Sequence, residues 1–189
     1  MSRIRYGIKN VYYATATSDS SGNLTYATPV AVPGAKSISL DAQGEDVDEY
    51  ADNAVWYQTV TNNGYSGTLE FEDTATADTF IQTVLSNVKD STTGRVTEKA
   101  SDVPKEFALG FQFELAGGTE TGKRVWLVRC TASRPSISGQ TKESSIAVQT
   151  NTVNIKAVPR IADDVVKYSC VSTDPDYTNW FSAVEQATT

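Results

Sequence analysis

The run DAQGEDVDEYADNAVWYQTVTNNGYSGTLEFED, Asp41 to Asp73, decides how the chain is read. Six acids, Asp41, Glu45, Asp46, Asp48, Glu49 and Asp52, fall within its first twelve residues without one base, and the chain then turns aromatic. VWYQTV and YSGTLEFED read as the two strands of a hairpin closed through TNNGY, because Asn63-Gly64 is the residue pair that a type I′ turn demands. So dense a run of like charge reads as a solvated loop or hairpin tip, an extended arm over about residues 40–56.

Upstream, GIKNVYYATAT and LTYATPVAV form a hairpin around the turn cluster SDSSGN. Pro29 and Pro33 restrict its second arm to an edge, since neither donates to a ladder. KSISLDA restarts the alternation with Ile38 and Leu40 inward. Downstream, Phe80, Ile81, Val84, Leu85 and Val88 recur at helical spacing and predict one amphipathic helix over about 76–88, with Thr74 or Thr76 as N-cap and Asp78 near its positive end. KDSTTGRVTEKASDVPK is an aperiodic surface loop. The strands EFALGFQFEL, RVWLVRCTAS, SSIAVQTNTVNIKAV and VVKYSCVS follow, and a C-terminal segment over about 174–189 places Trp180, Phe181 and Val184 on one face.

The fold class expected is therefore mainly β: an antiparallel two-sheet sandwich or barrel with one flanking helix, as a single domain over 1–189. Its candidate core is Trp56, Tyr65, Leu69, Phe71, Phe80, Ile81, Val84, Leu85, Trp126, Val128, Trp180 and Phe181. Trp56, Tyr57, Tyr65 and Phe71 also fit a sugar-stacking platform, but aromatic cross-strand partners are the commoner use of such rings.

Composition narrows the function. With 16 bases against 23 acids, net −7, the chain lacks the clustered Lys and Arg that grip phosphate backbones. It contains no histidine, which removes the usual general base and the commonest neutral metal ligand. Cys130 and Cys170 sit in apolar strand-like runs and read as buried thiols. No apolar run reaches the ~18 residues of a membrane span, and MSRIRYGIKN has no apolar leader core, so a soluble, unexported protein without membrane contact is expected.

Motifs that promise chemistry fall short. GGTETGKR, Gly117 to Arg124, has phosphate-loop spacing, but Arg124 stands where a hydroxyl must meet Mg²⁺ and a strand follows in place of a helix, so a hairpin loop is expected. Asp46 and Asp48 begin like a calcium loop, yet Ala51 holds the position that needs glycine and Tyr57 the one that needs a bidentate carboxylate. Neither a catalytic set, a metal site nor a cofactor is expected.

Four segments in order, GIKNVYYA (7–14), SISLDAQGEDVDEYADNAVWYQTVTNNGYSGTLEFED (37–73), RVWLVRCTASRPS (124–136) and NWFSAV (179–184), make the chain resemble the phage major tail proteins of the phi13 type, which form the tail tube of long-tailed phages of Gram-positive bacteria. That resemblance implies a virion structural protein without enzymatic activity, assembled in the host cytoplasm into hexameric rings that stack as a tube. It implies a tape-measure protein, a tail terminator and a distal tail protein as partners, and DNA that passes without specific binding. Some relatives add an immunoglobulin-like domain, and this chain resembles the short form. In that setting the acidic arm reaches a neighbouring ring, its acids either facing the lumen, where like charge keeps DNA from sticking, or pairing with bases of the next ring such as Arg3, Arg5, Lys123 and Arg124. The rival expectation is a carbohydrate- or cell-wall-binding β-sandwich of a tail tip or adhesin.

Overall fold

The structure, a computed structural model, describes residues 3–141 and 149–184. In chain order the described elements are β1 (Ile4–Ser18), β2 (Leu24–Tyr26), β3 (Val30–Ala31), β4 (Ala35–Gln43), β5 (Asp46–Ala51), β6 (Ala54–Val60), β7 (Gly64–Glu72), α1 (Ala75–Val84), β8 (Val88–Lys89), β9 (Val96–Thr97), β10 (Phe107–Ala116), β11 (Gly122–Ser133), β12 (Thr150–Ala157), β13 (Lys167–Val171) and a short 3₁₀ turn (Pro175–Tyr177). The architecture is mainly β and antiparallel with one α-helix. Residues 144–148 of the third expected downstream strand, 185–189 of the C-terminal segment, and Met1 and Ser2 lie outside the described residues.

Nine strands share one sheet in the order β2-β1-β10-β11-β12-β7-β4, with β3 beside β1 and β13 beside β11. β11 has β10 along one side, while β13 (Leu127↔Lys167) and then β12 (Cys130↔Ala157) take successive halves of its other side. The first hairpin forms as its turn residues require: the Asp19 carboxylate accepts from the backbone N–H groups of Ser21 (2.8 Å) and Asn23 (2.9 Å) and from the Asn23 amide, closing β1 on β2. GGTETGKR is a hairpin loop between β10 and β11.

Period-2 alternation divides the sheet's side chains between two clusters. Tyr13, Phe107, Leu109 and Leu127 face one way, while their neighbours Ala14, Ala108 and Trp126 face the other. On the first face α1 inserts Phe80, fully buried, edge-on to Tyr13 (4.9 Å), Phe107 (5.6 Å) and Phe71 (5.7 Å). Val11 and Tyr13 of β1 and Ile38 and Leu40 of β4, from opposite ends of the strand order, join this same cluster, so the sheet curls until its two ends oppose each other around a shared core. The C-terminal segment covers the second face. Trp180 and Val184 are buried there, the Trp126 indole N–H donates to the Trp180 carbonyl (2.9 Å), and Phe181 stacks on Tyr12 at 4.5 Å.

The helix begins where expected, with the Thr74 hydroxyl accepting from Ala77 N–H at 3.1 Å. It stops short of residue 88 because Ser86 turns left-handed (φ 62°) and Lys105 N–H takes the Val84 carbonyl at 2.7 Å; Val88 lies instead in exposed β8. Cys130 and Cys170 are free and buried on opposite faces of the sheet. Burial raises both thiols, Cys170 to about 11, which disfavours the reactive thiolate. Neither is expected to react with a thiol reagent at neutral pH in the folded protein, and both are expected to react in denaturant; labelling of the native chain would show that a face of the sheet opens.

Candidate assembly surface

The β4–β7 ladder runs out at Gln43↔Gly64, and the same two chains then continue as a separate ribbon, β5 paired with β6 from Asp46↔Val60 to Ala51↔Ala54. Glu45 and Thr61 bridge the two: Thr61 N–H donates to the Glu45 carbonyl (3.0 Å) and Glu45 N–H to the Thr61 hydroxyl (2.8 Å). The tip is Asp52-Asn53, both left-handed (φ 51° and 61°), the conformation of a type I′ turn.

This corrects the expected pairing. VWYQTV does not pair with YSGTLEFED through Asn63-Gly64; it pairs with the acidic run, which of the two expected forms, loop or hairpin, takes the hairpin. Gly64 is needed for a different reason. Its backbone is left-handed (φ 98°) and lies so near β12 that a Cβ would overlap the Ala157 carbonyl oxygen. The arm is also shifted from the expected 40–56: residues up to Gln43 belong to β4 of the main sheet, and the ribbon runs on to Val60.

A bulge between Glu49↔Tyr57 and Tyr50↔Val55 leaves Trp56 as the unpaired extra residue. Trp56 is 76% exposed, a second correction, because it belongs to the ribbon and no described residue covers it. Val47, Tyr50, Val55, Tyr57 and Val60 are exposed beside it. The other expected core residues are placed as follows: Leu69, Phe71, Phe80, Val84, Leu85, Trp126, Val128 and Trp180 are buried, and Tyr65, Ile81 and Phe181 are half-buried against the clusters.

All six acids of the run are exposed, and none has an ion-pair partner among the described residues. The four expected bases divide. Arg3 pairs with Glu120 in its own chain. Arg124 donates to Gln112 (3.0 Å) and to the Tyr177 carbonyl and lies over the Tyr177 ring at 3.9 Å, which ties down the C-terminal segment and leaves it little to offer a neighbour. Arg5, 4.6 Å over the Phe113 ring, and Lys123 have no carboxylate partner among the described residues.

Arg5 and Lys123 meet at a groove of about 200 Å³ at the arm's root. The helix packs Phe80 against Phe107, and the groove lies further along β10, at Phe111 and Phe113. Ile38 and Leu40 of β4, Phe111 of β10 and Val125 and Leu127 of β11 give it apolar walls. Lys167, which donates to the Tyr65 hydroxyl at 2.7 Å, supplies a third base. Sequence reasoning missed Lys167, whose place beside Leu127 depends on the β11–β13 register alone.

Elsewhere the polar groups serve the fold. Arg160, buried, binds Asp163 and the Tyr168 hydroxyl (2.9 Å), and that pairing holds the Asp163 carboxyl below its ordinary range. Among the described residues no group of three or more His, Cys, Asp or Glu is placed to hold a metal, and no helix is long and apolar enough to cross a membrane. No protein-family model and no curated protein matches the chain.

Proposed function

We propose that this chain is a structural subunit that polymerises with copies of itself as the tail tube of a long-tailed phage, in stacked hexameric rings through which DNA passes. The observation that carries the reading is the β5–β6 ribbon: a two-stranded arm paired apart from the main sheet, with Trp56 76% exposed and six acids that find no ion-pair partner among the described residues. A lone hairpin in water is marginal, and an exposed cluster of large apolar residues marks a contact surface. The resemblance of four segments to phage major tail proteins supplies the kind of assembly. Rings that stack need a heterologous contact that repeats along an axis, and one arm per subunit provides it. Tape-measure, terminator and distal tail proteins are the further partners that such a tube implies.

Electron microscopy of the concentrated purified protein tests this directly. Hollow fibres of constant width are expected; single particles at every attainable concentration would overturn the proposal. The exposure of Tyr50, Trp56 and Tyr57 also suits a sugar-stacking surface, the second reading, which requires a monomer that binds a polysaccharide.

A further inference from the structure

We infer that the Trp56 end of the β5–β6 ribbon of one copy docks into the groove between β4, β10 and β11 of a second copy, with the ribbon's acids meeting Arg5, Lys123 and Lys167. The inference rests on reading the chain as a self-assembling subunit and adds the receptor for its arm.

Charge is the first argument. Arg3, Lys9, Lys36, Arg129, Arg134 and Arg160 all have carboxylate partners within the chain. The three bases at the groove have none among the described residues, and neither do the acids of the arm. Lys89, Arg95, Lys99, Lys105, Arg124 and Lys156 also lack a carboxylate partner among the described residues, but at the mouth of this groove three such bases gather beside apolar walls, and the arm is an acidic projection likewise left unneutralised. Charges at the edge of such a contact select the partner and its register, while the buried aromatic supplies most of the affinity.

Size is the second. A cavity of ~150 Å³ lined by apolar side chains admits benzene, and this groove, at about 200 Å³, has room for one aromatic ring. Trp56 is the most exposed large aromatic among the described residues, and the bulge makes it the one residue within the two strands of the arm without a cross-strand partner.

Direction is the third. Ile38, Leu40 and Tyr65 put the groove at the root of the arm, while the arm's own apolar residues stay 43–76% exposed, so the ribbon does not fold back to fill it. Tip and root are different surfaces, and a tip-to-root contact is head-to-tail, which propagates.

Two variants test the docking by sedimentation and microscopy. In one, Asp46–Val60 is replaced by Asn-Gly, removing the arm; in the other, Lys123→Glu and Lys167→Glu reverse the mouth. At concentrations where the unchanged chain forms fibres, neither variant alone is expected to lengthen into them. Mixed in equal amounts, they are expected to pair with each other and stop, since only one arm and one groove remain usable. Trp56 emission should shift to shorter wavelength on mixing, because Trp126 and Trp180 are already buried. Trp56→Ala, which alters an exposed site and leaves the core intact, is expected to raise the concentration needed for fibres at least about tenfold. Fibres formed as readily by the mouth-reversed protein or by Trp56→Ala would overturn the docking while leaving self-assembly standing. An unchanged chain that never assembles would remove both.

Discussion

Phe80→Ala is expected to lower the stability of the fold by ~3–5 kcal/mol, the range for emptying a buried phenylalanine site. Small domains hold only about 5–15 kcal/mol in total, so the variant sits at the edge of unfolding. The effect is large because Phe80 is the single ring that meets Tyr13 of β1, Phe107 of the adjacent β10 and Phe71 of β7, which the sheet order separates from β10 by two strands. Nothing nearby can move in to replace it, since the helix is held at its start by Thr74 and at its end by the Lys105 contact to Val84. Denaturant titration checks this through a shift of midpoint at unchanged slope. A loss below about 1 kcal/mol would mean that the helix is not the core's keystone.

Replacing Asp46–Val60 with Asn-Gly is expected to do the opposite: fold intact, assembly abolished. Glu45 and Thr61 already exchange hydrogen bonds, so a two-residue type I′ turn closes the β4–β7 pair with its register kept. Every described side chain of β5 and β6 is exposed or half-buried and none belongs to either core cluster, so little apolar packing is lost. Thermal unfolding should change by no more than a few degrees, while fibres disappear. Clear destabilisation would show that the ribbon packs on its own chain; fibres that persist would remove the arm from the contact.

The parts of the fold that were legible in the sequence are those fixed by neighbours in the chain. Asp19 and Asn23 close the first hairpin with their own side chains, and Thr74 caps the helix it precedes. Asn63-Gly64 carries the same local signature and was misread, because a glycine that admits another strand's carbonyl looks identical to one that makes a turn. The real turn, Asp52-Asn53, lies inside a charge run that masks it. Trp56 read as core for a related reason: alternation reveals that a strand has faces, not whether anything covers them. The acidic projection was visible as composition, whereas the groove was not. Its walls come from β4, β10 and β11 and its bases from residues 5, 123 and 167, which only the completed sheet brings together.

The pairing of β1 with β10, from Ile4↔Ala116 to Thr15↔Phe107, also governs how the chain must be made. As it leaves the ribosome, its longest strand, fifteen residues, finds only the short β2 and β3 near one end. Translation proceeds at roughly 5–20 residues per second, so the remaining edge waits on the order of ten seconds for its partner. An open edge of that length is a template for joining another nascent chain, and the lysines and arginines it carries, Arg5 and Lys9, are the kind of residue that discourages such joining. Productive synthesis of this polypeptide therefore depends on keeping neighbouring translation products apart until residue 116 has emerged.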